Sequence, residues 1–367
     1  MLPSRIFRDP KLAKVLVRAI HKEAKEIDRT VNLMEVCGTH TMAIAQFGIR
    51  AMMPENVRLL SGPGCPVCVT VAGYVDAACQ LAQRDDVLVA TFGDMVRVPG
   101  TDRVSLDSVG NHQVVYSAAD TIPLARRTAK TVVFLAVGFE TTAPTIAATI
   151  ISAKKQNIKN LLFLVAHKTI PPAMAALLSS PRTHIDAFIC PGHVSAIIGA
   201  KPYETIAEKF HRPCVITGFE ALDVLEGILM ILRQLRRGEA KVETQYRRVV
   251  RYEGNQKALA VMREVFEECD AHWRGIGRIA KSGLRLREEF ADFDAERVLG
   301  VRIKQGKPDP RCRCGQIMQG LCLPPDCALF ANQCRPEHPV GPCMVSSEGA
   351  CAAFFKHPPT LKRFGLT

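Results

Sequence analysis

The chain predicts an α/β architecture: two related parallel-sheet α/β domains followed by a small cysteine-rich domain. Three observations carry this. Short apolar runs alternate with helix-compatible stretches over the first 200 or so residues, as in buried parallel sheets. Motifs at the ends of these runs recur at a nearly constant offset. Half of the fourteen cysteines (Cys312, Cys314, Cys322, Cys327, Cys334, Cys343 and Cys351) crowd the last part of the chain. The expected division is 1–122 for the first α/β domain, 123–240 for the second, and 241–367 for a helical and then cysteine-rich third.

Taken in order, an apolar stretch leads into Cys37, and a helix-compatible run follows over Thr41–Phe47. Strands are expected at Val87–Thr91, Thr131–Val137, Leu161–Ala166, Ala187–Cys190 and Cys214–Thr217. Most lead into a Gly-, His- or Pro-bearing turn and then a helix. In such sheets the loops after the strands gather at one edge, where ligands bind. CGTH at Cys37 aligns with the AHKT segment at Ala166, Gly62-Pro-Gly-Cys with Cys190-Pro-Gly-His, and Thr91-Phe-Gly-Asp with Thr217-Gly-Phe-Glu. The offsets are 127, 128 and 126 residues, which suggests a duplication; common strand–turn grammar is the alternative. Beyond Arg233 charged helical stretches take over, including Ala258–Cys269. After Gln305 the periodicity is lost, as expected where a metal site fixes the fold.

Composition narrows the function. A chain of 367 residues that is 47% hydrophobic buries a large core, so its cysteines are not those of a small secreted disulfide scaffold. The N-terminus has no signal-peptide h-region, and charges break every apolar run short of the roughly 18 residues of a membrane span. A reducing, cytoplasmic location is expected, where such thiols serve metals or catalysis. The net charge of +12 favours an acidic partner. Aromatics are only 6%, and they are not interleaved with the basic runs Arg233–Arg251 and Arg278–Arg287, which argues against a nucleic-acid platform.

The motifs carry the chemistry. The long, irregular C-terminal cysteine spacings suit a [4Fe-4S] cluster, with structural zinc the alternative. Cys65 and Cys68 in GPGCPVC form a C-x-x-C unit suited to a disulfide, a metal edge or a reactive dithiol. Cys37, at a strand-to-helix junction with His40 three residues on, is placed for thiolate character at the positive end of a helix dipole. Asp94, Arg97, Glu140, Thr141, Thr142, His167, Lys168, His193 and Glu348 stand at turns. Each alone is more often a cap or a satisfied turn residue.

Together CGTHT at Cys37–Thr41, GPGCPVC at Gly62–Cys68, FGDMVRVPG at Phe92–Gly100, GFETTAP at Gly138–Pro144, CPGHVSAIIG at Cys190–Gly199 and CMVSSEGAC at Cys343–Cys351 resemble the HypD family of hydrogenase maturation proteins, over nearly the whole chain. The resemblance implies two α/β domains of related topology and a third holding a [4Fe-4S] cluster. It also implies a scaffold that works with a small partner, HypC, to assemble the Fe(CN)2CO unit of [NiFe]-hydrogenase for delivery to the large subunit, with cyanide supplied by HypE and HypF. It makes Cys37 the ligand of the transient iron and Cys65/Cys68 a redox-active dithiol. Cys312, Cys327, Cys334 and Cys351 become the cluster ligands, with Cys314 or Cys343 as replacements. Asp94, His193 and Glu348 would handle protons or orient ligands beside His40. Two competitors are an iron–sulfur protein-disulfide oxidoreductase, which needs no Cys37, and a zinc-stabilised basic module binding nucleic acid.

Overall fold

The structure, a computed structural model, describes residues 7–359. Eleven strands are described: β1 (Val31–Glu35), β2 (Val57–Ser61), β3 (Val87–Thr91), β4 (His112–Val114), β5 (Thr131–Ala136), β6 (Leu161–Val165), β7 (Ala187–Pro191), β8 (Cys214–Thr217), β9 (Val242–Thr244), β10 (Phe266–Trp273) and β11 (Gly277–Leu286). They form a five-stranded sheet in the order β2-β1-β7-β8-β9, a four-stranded sheet in the order β4-β3-β5-β6, and the β10–β11 hairpin. Every pairing in the two larger sheets is parallel, with Val31 opposite Val57 and Val132 opposite Leu161. The α/β class, with its cysteine-rich C-terminal part, is as expected.

The sheets do not follow the linear division at 122 and 240. β1 and β2 share a sheet with β7–β9 through the β1–β7 pairing, across more than a hundred residues of chain, and the whole β3–β6 sheet is inserted between them. The expected duplication fails in its register for the same reason: β2 and β7, matched by their Gly-Pro turns, lie in one sheet. The relation between the halves is topological instead. Both sheets run second–first–third–fourth in their own chain order, so β1 corresponds to β3 and β7 to β5. In this order the crevice opens where the winding reverses, between β1 and β7 and between β3 and β5.

The core strands are nearly continuous apolar runs because helices cover both faces. Pro10–Lys25, capped by Asp9, and Ala221–Arg237 pack on one face of the first sheet. Ala143–Lys155 and Gln256–Val265 pack together beside the second. The helix expected over Ala258–Cys269 therefore ends at Val265, where the chain turns into β10. That strand is buried at Phe266 and Trp273, alternates half-buried and exposed residues between them, and pairs antiparallel with β11, so its Glu267 and Glu268 sit in a sheet despite their helical preference. The basic segments are largely consumed inside the chain. Arg233 and Arg236 meet Glu23, Arg248 meets Asp223, and Arg285 meets Glu267. No helix among the described residues is long and apolar enough to cross a membrane.

The cysteine-rich segment docks on the first sheet's loops. Helix Ala350–Lys356 lies against helix Gly38–Gln46, and the short helix Pro342–Val345 against Pro66–Val69. This docking builds the site.

Candidate functional site

β1 ends at Glu35, and Cys37 caps the following helix Gly38–Gln46 in extended conformation. β2, its parallel neighbour, ends at Ser61 and delivers Gly62-Pro-Gly-Cys to the same edge. The two loops are stitched together: Gly62 N–H donates to Glu35 O at 2.8 Å and Gly38 N–H to Gly64 O at 2.9 Å. A Cβ on Gly64 would fall on the backbone of Cys37, so only glycine allows this approach. Cys65 and Cys68 are joined in a disulfide with a Cα–Cα separation of 5.3 Å, and Cys68 N–H donates to Cys65 Sγ at 3.1 Å.

Glu348 comes in from the C-terminal segment. Thr39 Oγ1 donates to its Oε1 at 2.7 Å, and its Cβ packs on the Cα of Gly38. Burial raises the Glu348 carboxyl, the Thr39 hydrogen bond opposes this, and Asp94, on the turn after β3, raises it further. Asp94 therefore belongs to the same mouth, at the exposed rim.

Cys37 is placed as expected, but its ionisation is not. The N–H groups of His40 and Thr39 point at the thiol and favour thiolate, yet burial outweighs them and Glu348 and Glu35 add negative charge. The thiol is pushed up to about 12. In the metal-free chain Cys37 is protonated, and a cation that binds it must displace the proton. His40 is buried and neutral, held down at about 4 chiefly by burial. Its Nε2 lies 2.9 Å from Gly218 O and 2.8 Å from Thr217 Oγ1. A carbonyl only accepts, so Nε2 carries the proton and Nδ1 keeps its lone pair, without a partner inside the protein. His193, on the helix after β7, stacks on Phe219 at 3.9 Å, and Phe219 leans on His40 at 4.7 Å.

Two residues around Cys37 and His40 were not singled out in the sequence. Glu35 is fully buried, accepts from Thr41 Oγ1 at 2.6 Å and Cys37 N–H at 3.1 Å, and is raised by burial to about 8. Its signal was a carboxylate ending an otherwise apolar strand run two residues before Cys37. Phe219 carried none beyond its place after a strand. Other turn residues prove structural. Arg97 donates to Pro336 O at 2.7 Å, Glu140 Oε1 accepts from Ile170 N–H at 2.9 Å at the head of helix Ile170–Leu178, and Thr142 Oγ1 donates to Phe139 O at 3.3 Å. His167 and Lys168 are buried at the end of β6, beside the β10–β11 hairpin.

The C-terminal thiols form a nest. Cys312 Sγ lies 3.3 Å from Cys314 Sγ, and Cys314 also bonds Cys351. Cys334 Sγ accepts from Val340 N–H at 3.3 Å. All seven are free of disulfides, and Cys314, Cys327, Cys334, Cys343 and Cys351 are buried. Cys322 is half-buried, its Sγ 4.0 Å from Gln316 Oε1. No group of three or more His, Cys, Asp or Glu among the described residues is drawn together as a mononuclear metal site. Free, buried thiols spread around a nest fit a polynuclear cluster by donor chemistry.

Residues 11–358 match a family model for HypD, described as the hydrogenase formation hypA family. Similar proteins include the hydrogenase maturation factor HypD of Cupriavidus necator, 44% identical over 363 residues and 96% of each chain. That of Escherichia coli K12 is 42% identical over 360 residues, again 96% of each. A putative hydrogenase expression/formation protein of Methanocaldococcus jannaschii is 43% identical, over 95% of this chain and 98% of its own. These matches define a hydrogenase maturation factor. The chain belongs to the HypD family.

Proposed function

We propose that the chain, with a small HypC-type partner, is the scaffold on which the Fe(CN)2CO unit of [NiFe]-hydrogenase is assembled in the cytoplasm. HypE and HypF supply the cyanide, and the hydrogenase large subunit is the final recipient. The observation that carries this is the meeting of Cys37, the Cys65–Cys68 loop and Glu348, from three separate segments, at one sheet edge.

Ferrous iron with cyanide and carbonyl ligands is the cargo, and a soft thiolate suits it. Cys37 would bind it, and the partner would provide a second thiolate. On binding, the Cys37 proton is displaced. The neighbouring acceptor is the Glu348 carboxylate, while the N–H groups of Thr39 and His40 steady the thiolate. Glu35 holds Cys37 N–H and fixes the loop. His193 and Asp94 stand at the rim, placed to exchange protons with solvent. Cys312, Cys327, Cys334 and Cys351 are our choice of [4Fe-4S] ligands; Cys314 and Cys343, equally buried, are the replacements. A bound cluster would supply single electrons. The Cys65–Cys68 pair stores two as a dithiol and releases them on closing its disulfide.

The test is Cys37→Ala, purified anaerobically beside the unsubstituted chain from cells making the hydrogenase. The infrared cyanide and carbonyl bands should vanish while the cluster absorbance stays. Bands that survive refute the ligand assignment. A disulfide oxidoreductase would instead keep its reductase turnover without Cys37.

A further inference from the structure

Arg274 was not among the residues the sequence picked out. It sits in the turn between β10 and β11 and is 7% exposed. Its contacts run in two directions. On one side it holds the loop that follows Cys68: Nε donates to Thr70 O at 2.6 Å and the backbone N–H to Val69 O at 2.8 Å. Nη2 adds a longer bond to Pro99 O at 3.4 Å. On the other side the hairpin tip presses on the cysteine nest. Gly275, at φ 76°, meets Gly315 so closely that a Cβ on either would strike the other's Cα. Arg274, Cys312, Cys314 and Gly341 line one open cavity of about 780 Å³.

Every acceptor of the guanidinium is a neutral carbonyl. A buried cation without a counter-charge is strongly unfavourable, so one must come from elsewhere. Cys312 and Cys314 reach the same cavity as the guanidinium, and Gly341 beside them sits against both sulfurs. A cluster held by thiolates of this nest would bring the counter-charge to that cavity. The cation that they face is also bonded to the loop carrying the C-x-x-C disulfide.

We propose that Arg274 is a positioning residue for electron transfer: its charge, fixed between the Cys65–Cys68 loop and the cysteine nest, stabilises the extra electron of a reduced cluster held there. The inference rests on the cluster reading given above. One electron added to the cluster makes it more negative by one charge, so a fixed neighbouring cation raises its potential and removal of that cation lowers it.

The experiment uses the full chain, unsubstituted and as Arg274→Lys and Arg274→Gln, purified anaerobically. Iron and acid-labile sulfide are measured first, and the cluster is then titrated with redox mediators and followed by electron paramagnetic resonance. At a fixed potential the reduced-to-oxidised ratio should fall at least tenfold in Arg274→Gln, a midpoint about 59 mV lower for a one-electron couple. Arg274→Lys keeps the charge but not the guanidinium's hydrogen bonds, and it should stay within about threefold of the unsubstituted chain, which is about 28 mV on the same scale. An unchanged midpoint in Arg274→Gln overturns the inference. So does a lysine variant that falls as far as the glutamine one, since packing and hydrogen bonds would then be the cause. If Arg274→Gln does not fold or holds no iron, Arg274→Met takes its place: a tenfold loss there with Arg274→Lys within threefold supports the inference, and an unchanged midpoint overturns it. An unsubstituted chain without iron and sulfide refutes the cluster reading itself and the inference with it.

Discussion

His40 gives the sharpest quantitative test of the site's interior. Its imidazole is buried and neutral, held at about 4 against an ordinary 6.5. Between those values the unfolded chain binds a proton that the folded chain refuses, so stability rises with pH and is lost as pH falls. At pH 7.5 the effect is almost absent. At pH 5 the unfolded state is protonated and the folded one is not, and linkage removes about 2 kcal/mol. The raw stability curve does not isolate this loss. His167, held at about 3, adds a loss of the same sign, and Glu35, raised to about 8, works against both. A carboxyl with a raised pKa contributes most when protonated, and its stabilisation fades as pH rises from its ordinary range towards 8. The difference between two chains removes these shared contributions. His40→Gln keeps a donor for Gly218 O but cannot titrate. Urea unfolding of the reduced, metal-free chains at pH 7.5, 6.5, 5.5 and 5.0 should show the substituted chain losing about 2 kcal/mol less between the ends of the series. Parallel curves for the two chains would mean that His40 titrates alike folded and unfolded, and its place as a buried, neutral imidazole would fall with that result.

Three further outcomes test the packing. Gly64→Ala places a methyl group on the Cys37 backbone; it should cost about 1–3 kcal/mol by thermal unfolding, and an unchanged melting temperature would show that the two loops are not in contact. Glu348→Ala leaves the half-buried seam between Thr39 and the C-terminal segment without its acceptor, for about 1 kcal/mol in urea unfolding, and a neutral result would detach that segment from the Cys37 helix. Trp273→Phe removes an indole donor that reaches Ser282 Oγ at 2.8 Å in a fully buried position; a loss of about 2–3 kcal/mol is expected, and under 0.5 would place the hairpin away from the core.

Local structure was legible where local pattern decides it. Val87–Thr91 and Cys214–Thr217 are strands with the expected bounds, and the other three expected strands differ from the observed ones by one residue at one end. Their apolar runs are buried on both faces, which leaves periodicity little to confuse. The partners of those strands were not legible. β1 meets β7 because the winding of the fold brings them together, and nothing within five residues of either encodes that. The β10 segment misled for the opposite reason: Glu267 and Glu268 favour helix, and only pairing with β11 overrides them. In the site, Cys37, His40, Cys65, Cys68 and Glu348 were visible because unusual residue types cluster in short motifs. Glu35, Phe219 and Arg274 act through burial and long-range contact, so their sequence neighbourhoods look ordinary. The expected thiolate at Cys37 shows the same limit: the helix terminus could be read from sequence, but the desolvation that overrules it could not.

The function turns on what the Cys37 cleft carries. The direct measurement is an infrared spectrum of the chain purified anaerobically from cells that are making [NiFe]-hydrogenase. Cyanide and carbonyl stretching bands are the predicted result, with the cyanide bands shifted when the cells are fed isotopically labelled cyanide precursor. A chain that arrives with its cluster and a bound partner but without those bands contradicts the account and leaves disulfide reduction as the chemistry of the site.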